Sequence, residues 1–440
     1  MRLLLIDPIG SGVDIAVRAQ RAGHEVKHFI RQTPKTLNIG KGLVKLVDDF
    51  RPWLNWADLI LNCDCTRYIE ILDAYRKQNP DAHIVSSSKE TAAWELERGT
   101  GQAVFKAAGV ATAPYKTFDD YDKAIAYVKK TGLRFVSKPD GDADKALSYC
   151  SKGPADMVFM LERWKKTNKL KREFILQEFI PGIEMAVGGW FGPGGFNVGW
   201  CENWEFKKLM DGDLGVATGE QGTVMRYVRR SKLADKVLKP IADQLEKTGY
   251  VGYIDVNCII DEKGTPWPLE FTMRPGWPCF NIQQALHDGD PVEWLKDLAD
   301  GTDARITSLD LVAMGVVLSI PDYPYSHLTK KEVTGIPVYG IDQRITPHLH
   351  LCEMMMGEAP TDIDGKVMTV PTLVSAGDYL VVVSATAETV YDAKTKCYRR
   401  LKRLSVPNSP MYRTDIGDRL SKQLPLLQAM GYATGMVFST

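Results

Sequence analysis

The chain has 440 residues, too many for one ordinary core, so two to four domains or lobes are expected. Lysine plus arginine equals aspartate plus glutamate at 55 each, which removes any global electrostatic pull towards nucleic acid or an anionic membrane. At 44% hydrophobic residues the composition is that of a soluble globular protein, and its longest apolar stretch, around LDLVAMGVVLSIP, is too short to span a bilayer.

In chain order, the opening MRLLLIDP runs straight into a strand pattern, with no signal-peptide core or cleavage site behind it. RLLLID, a glycine turn, a helix and a further strand are followed by a second strand–helix–strand unit through ADLILNCD, RYIEILDAYRKQ and HIVSS. Such alternation predicts a parallel sheet covered on both faces, an N-terminal α/β domain over residues 1–88. A helix over 89–108 leads to GVATAPYKTF. From Phe118 the spacing predicts a small α+β lobe, about 118–180: a helix, the strands RFVSKP and KALSYCS, another helix, and the strand REFILQEFI. Two strands joined by the turn GPGGFN follow, then a looser stretch DGDLGVATGEQGTV, a helix over 231–248 and two further strands. Residues 302–440 read as a mostly β closing domain, which leaves 89–301 as the central one. Eight cysteines without repeated CxxC spacing suit reduced thiols and a cytoplasmic location.

Those last two central strands carry the first chemical signal. In GYIDVNCIID, Asp255 and Asn257 share one face; in PLEFTMRP, Glu270, Thr272 and Arg274 do. Antiparallel pairing through DEKGTPW would bring Asp255 near Glu270, two carboxylates for a hard cation such as Mg²⁺, with Arg274 left to hold a phosphate oxygen. The plain alternative is a surface sheet with a Glu270–Arg274 salt bridge. Lys138 ends an apolar strand before a loop with Asp140, Gly141 and Asp142, and Lys145 opens the next strand. It is either a phosphate grip or a solvated turn lysine. There is no GxxxxGK[ST], which excludes a P-loop. In ILQEFIPGIEM an apolar strand ends at Gln177, Glu178, Phe179 and Ile180 and turns into a strand bearing Glu184, a hinge able to offer backbone groups to an adenine edge.

Taken together, a strand-end lysine, an EF-I hinge followed by an acid, and paired acidic strands ending in E-x-x-x-R resemble the ATP-grasp fold. The order of QEFIPGIE, GYIDVNCIID, PLEFTMRPG, GVVLSIPDYP, GDYLVVVSATAETVYDA and YRTDIGDR further resembles one family over nearly the whole chain, phosphoribosylamine–glycine ligase. The resemblance implies an α/β protein: an N-terminal parallel domain, a small lid lobe, a central ATP-grasp lobe and a C-terminal mostly β domain. It implies ATP and Mg²⁺ (or Mn²⁺) as cofactors. Lys138 and Lys145 would hold phosphates, as would Lys207 in WEFKKLMDGD. Gln177, Glu178 and the backbone of Phe179 and Ile180 would meet adenine, and Glu184 the ribose. Asp255, Glu270 and Thr272 would bind metal, and Arg274 would stabilise the transferring phosphoryl group. The substrates implied are an amino-acid carboxylate and an amine, joined through an acyl phosphate, in a monomer or dimer without membrane or nucleic-acid partners.

The chain departs from the family pattern at Thr272, where an Asn is usual, and at Asp144 and Ala146, where glycines flank the second lysine. DPIGSG replaces a Gly-Gly-Arg-Glu-His turn and LNCDCT a Gly-Pro-Glu. These departures keep two rivals open: a same-fold ligase using a different amine, in nucleotide or nucleic-acid modification, and a non-catalytic nucleotide-binding protein. In the first, the turn would offer Ser11 and backbone N–H groups to the acceptor; if the acceptor is unchanged, Arg67, Arg413 or Asp415 would supply the missing contacts. Weaker signals are an incomplete dinucleotide fingerprint at GSGVD, the alternation His348, His350, Cys352 as a soft-metal face or a half-buried strand, and the basic run RWKKTNKLKR as a solvated helix end.

Overall fold

The computed structural model describes residues 1–139, 148–167, 173–197, 199–302, 307–325, 330–407 and 409–439. Its first sheet is five parallel strands, β1 (Arg2–Asp7), β2 (Glu25–Ile30), β3 (Leu46–Val47), β4 (Leu59–Asn62) and β5 (Ile84–Val85), in the order β3-β2-β1-β4-β5. Leu3 to Ile6 are fully buried, as expected of a strand covered on both faces by helices such as α1 (Val13–Arg21) and α2 (Ile69–Gln78). The predicted 89–108 helix is two, α3 (Lys89–Leu96) and α4 (Arg98–Ala107), separated where Glu97 takes an extended conformation.

The small lobe pairs β6 (Tyr115–Phe118), β7 (Phe135–Pro139), β8 (Tyr149–Cys150) and β9 (Phe174–Glu178) in the antiparallel order β6-β9-β7-β8, with α5 (Tyr121–Thr131) and α6 (Pro154–Lys166). It has a core of its own, built from Phe118, Val128, Phe135, Leu161, Trp164 and Phe174. A lobe with a separate core can move as a unit.

The large sheet has nine strands. β10 (Ile183–Gly192), β11 (Gly195–Phe196), β12 (Trp200–Met210), β13 (Leu214–Val228), β14 (Gly252–Ile260) and β15 (Pro266–Thr272) are joined by β16 (Val312–Ser319), β17 (Leu349–Leu351) and β20 (Tyr379–Ala387), while β18 (Met354–Ile363) and β19 (Lys366–Ser375) form a separate two-stranded ribbon. The order is β15-β14-β10-β12-β13-β16-β20-β17, with β11 on β10. Strands from beyond residue 302 thus extend the central sheet, and one hydrophobic cluster runs from Val187 and Ile254 to Val383 and Leu424.

The stretch read as looser is the 15-residue strand β13. Its glycines hide the two-residue alternation, yet Gly222 is required there: a Cβ would meet the carbonyl oxygen of Gly315 on β16 at 2.6 Å. The predicted 231–248 helix breaks at Pro240 into Lys232–Val237 and Ala242–Thr248. Among the described residues, no helix is long and apolar enough to cross a membrane.

Candidate active site

One face of the large sheet, the small lobe and the first domain enclose a cavity of about 1160 Å³. β14 and β15 pair antiparallel, with Asp255 opposite Thr272 and Asn257 opposite Glu270 before an irregularity at Cys258. All four side chains line the cavity, as do Glu205 and Lys207 from β12 and Glu220 from β13. Gly188 on β10, opposite Asp255, leaves the room: a Cβ there would overlap the Tyr253 hydroxyl and lie 2.6 Å from Asp255 Oδ2.

Glu270 is the hub. Its Oε2 is 2.5 Å from an Arg98 guanidinium nitrogen, and its Oε1 is 4.0 Å from Lys207 Nζ. Arg98, with Lys207 and Lys138 behind it, outweighs burial and holds Glu270 far below the usual carboxylate range. Lys207 also meets Glu205 at 3.1 Å and Glu184 at 3.2 Å. Burial works against its charge, but Glu205, Glu184 and Glu270 keep its pKa well above the ordinary value. Lys138 is the opposite case: it donates to the Leu269 carbonyl at 3.2 Å, and burial, only partly offset by Glu270, lowers its pKa to about 8.

Asp255 accepts hydrogen bonds on Oδ2 from Asn203 and from the Tyr253 hydroxyl, each at 2.9 Å, while Oδ1 is buried without a partner. Burial, reinforced by the charge of Glu205, raises its pKa to about 7. Asn257 Oδ1 and Glu220 Oε1 are likewise buried and unpartnered, and burial pushes the Glu220 carboxyl up. Three unpaired hard oxygens facing one cavity suit a cation such as Mg²⁺, which takes few protein carboxylates and completes its octahedron with water and phosphate oxygens. Among the described residues, no three His, Cys, Asp or Glu side chains form a ready-made cage.

The other expected residues fall as follows. Lys145 lies outside the described residues. Gln177 is buried on β9 with its Nε2 unpartnered. The N–H groups of Glu178 and Phe179 are already donated to Pro114 and Arg134, and the Arg134 guanidinium stacks 3.4 Å over the Phe179 ring. What Phe179 can offer a base is therefore its carbonyl rather than its N–H. Ile180 follows it in the hinge, and Glu184 sits on β10 tied to Lys207. Arg274 lies two residues beyond the end of β15 and, among the described residues, has no ion pair with Glu270. It pairs instead with Glu95 of α3 at 3.1 Å, a contact that holds its pKa up. Arg98 and Glu95 had no local sequence signal; both stand in the helices before the small lobe and meet their partners only through the fold.

The first-domain end differs from expectation. The N–H groups of Gly10, Ser11 and Gly12 do not face the cavity as free donors; they converge on the buried Asp7 carboxylate at 2.9, 2.9 and 2.6 Å, and His28 Nε2 is 3.0 Å from the same group. Arg413 is equally spent, on Asp213 at 2.8 Å and Asp415 at 2.7 Å, and Arg67 is exposed outside the cavity lining. His350 is not a metal ligand: its two ring nitrogens lie 2.8 Å from Asp14 and from Ser384, stitching α1 to β20.

Residues 100–279 match the family described as phosphoribosylglycinamide synthetase, ATP-grasp (A) domain. The chain is 26% identical over 367 residues to a phosphoribosylamine–glycine ligase of Ralstonia nicotianae, covering 79% of this chain and 81% of that protein. It is 23% identical over 418 residues to the enzyme of the same name from Haemophilus influenzae, covering 92% of each. The crystal structure of phosphoribosylamine–glycine ligase from Thermotoga maritima superposes with a TM-score of 0.72 at 18% identity, over 95% of this chain and all of that one. An L-amino acid ligase from Bacillus licheniformis shares the fold at a TM-score of 0.58 and 12% identity, over 93% and 98%.

Proposed function

We propose that the chain is a phosphoribosylglycinamide synthetase of the ATP-grasp type and that it catalyses the ligase reaction named by its relatives, joining glycine to phosphoribosylamine at the expense of ATP. The glycine carboxylate attacks the γ-phosphorus, giving glycyl phosphate and ADP. The acceptor amine then attacks the acyl carbon, the C–O bond to phosphate breaks, and the amide, inorganic phosphate and a proton are released. Both steps move charge more than they remake the protein, so positioned cations supply most of the catalysis.

The observation that carries this reading is Glu270, paired with Arg98, facing Lys207 and within the field of Lys138, beside three unpaired oxygens whose residues line the same cavity. Lys138, Lys207, Arg98 and, from outside the described residues, Lys145 would hold the triphosphate. Gln177, Glu178 and the backbone of Phe179 and Ile180 would face adenine, with Glu184 at the ribose. Asp255, Glu270 and the oxygens of Asn257 and Thr272 would hold Mg²⁺, whose chemistry is to neutralise the phosphoryl oxygens. Arg274, anchored by Glu95, would stabilise the transferring phosphoryl group. The small lobe, with its own core, would close as a lid and keep the acyl phosphate from water.

We divide the chain as before, 1–88, 89–301 and 302–440, the last two sharing a sheet. Eight free thiols support a cytoplasmic setting. ADP release that requires both glycine and freshly generated phosphoribosylamine tests the function. A kcat/KM of about 10⁴ M⁻¹s⁻¹ or above is expected, and release independent of both substrates, or none, overturns it.

A further inference from the structure

The acceptor named by the relatives carries a phosphate, and the first βα turn cannot receive it. A helix N-terminus after a parallel strand is an ordinary anion site, but here Gly10, Ser11 and Gly12 give their N–H groups to Asp7, and the turn is filled by the protein's own carboxylate. The cavity is also lined by the acids Asp64, Glu95, Glu353 and Asp378. Of its arginines, Arg98 is engaged by Glu270 and Arg274 by Glu95.

Lys35, exposed at the surface, lines the cavity, as does Ile9. Among the described residues its ammonium has no carboxylate partner, whereas Arg98, Lys207 and Arg274 each have one. Lys208, on β12 across from Ala217, also lines the cavity. The turn that presents Lys35 is rigid: Thr33 and Thr36 exchange hydrogen bonds, N–H to hydroxyl, at 3.0 and 3.2 Å. The loop is wedged against the first turn, since a Cβ on Gly10 would meet Ile39 at 2.9 Å, and it is tied to the ribbon through Gly40 N–H to Met354 O at 2.8 Å.

We infer that Lys35 binds the phosphomonoester of the acceptor and is a specificity-determining residue of this chain. This rests on the proposed ligase reading. The acceptor then lies with its phosphate outward at Lys35 and its amine inward, among the carboxylates and towards the acyl phosphate.

The test uses Lys35→Ala and Lys35→Arg in the full chain. The turn is exposed, so both variants are expected to fold. Losing one charge-assisted phosphate contact should raise KM for phosphoribosylamine by about 10- to 100-fold in the alanine variant, with kcat little changed. The arginine variant should stay within about threefold, because it keeps the charge. Glycine hydroxamate formation, in which hydroxylamine replaces the acceptor, should be equal in all three proteins. Ribose 5-phosphate, titrated calorimetrically without ATP, should bind the parent and bind Lys35→Ala at least about tenfold more weakly. A KM change under twofold, an equal loss in the hydroxylamine reaction, or no ribose 5-phosphate binding to the parent overturns the assignment. Failure of the ligase reading shows separately, as a parent that forms no hydroxamate from glycine and ATP.

Discussion

Lys138 makes the nucleotide affinity of this protein depend on pH in a calculable way. Burial lowers its pKa from 10.5 to about 8, so holding it charged costs about 3 kcal/mol at 1.36 kcal/mol per unit. Without ligand, the group is about nine-tenths protonated at pH 7 and about one-tenth at pH 9. A bound polyphosphate favours the ammonium form, so affinity should be highest below the folded pKa and be lost as pH rises through it. For ADP without metal, whose own phosphate protons are gone above pH ~7, Kd should rise about tenfold between pH 7 and 9. Calorimetry at pH 8 in buffers of different ionisation enthalpy should show uptake of about half a proton per nucleotide. Lys138→Arg, charged throughout, should flatten the profile whatever its absolute affinity. A parent whose Kd is constant over that range, or an arginine variant with the same slope, would refute the argument. The same depression has the reverse effect on folding. Between about 8 and 10.5 the unfolded chain holds this proton and the folded chain does not, so the group's contribution to stability rises with pH there.

Glu270→Gln keeps the shape of the side chain but removes the charge that offsets Arg98, Lys207 and Lys138; turnover should fall on the order of 10²-fold or more, and a loss within about threefold would show that Glu270 is not a metal ligand. The same variant should move the Lys138 profile to lower pH, since Glu270 is what holds that lysine's pKa up. Asp255, raised to about 7, must lose its proton to bind a cation, so Mg²⁺ affinity should fall towards about tenfold per unit of acidification below that point; a flat Mg²⁺ titration would remove Asp255 from the metal site. Mg-ATP should slow proteolysis of the lobe spanning residues 115–178, because closure needs the ligand, and equal cleavage with and without it would argue against a lid.

What the sequence made legible was periodic or local. Alternation put Asp255 with Asn257 and Glu270 with Thr272 on single faces, and the parallel first domain followed from strand–helix repeats. What stayed hidden was set by distant partners. Arg98 meets a carboxylate 172 positions later in the chain; nothing in ELERGTG announces it. A Glu270–Arg274 bridge suited two residues sharing a strand face, but the strand ends at Thr272, and Glu270 pairs with Arg98 while Arg274 pairs with Glu95. Asp7 looked like an ordinary strand end, and its capture of three successive N–H groups is visible only once the turn is built. β13 was missed because Gly215, Gly219 and Gly222 hold no side chain to alternate.

The charges of the cavity are arranged as placeholders. Arg98 rests on Glu270, Lys207 on Glu184 and Glu205, and Arg274 on Glu95. An unpaired charge in such a place would cost several kcal/mol, and a self-pairing would waste the site if the partners could not separate. Two of these acids, Glu270 and Glu184, are also the groups that would take metal and ribose, so an arriving metal nucleotide exchanges partners there: phosphate for carboxylate at the cations, cation for cation at the acids. Binding is then a replacement of ion pairs by ion pairs, with little net change in buried charge. Lys138 is outside that scheme: among the described residues it donates to a carbonyl, and burial lowers its pKa. It is the cation whose protonation a ligand must complete, which is why the pH dependence of binding should be read there first.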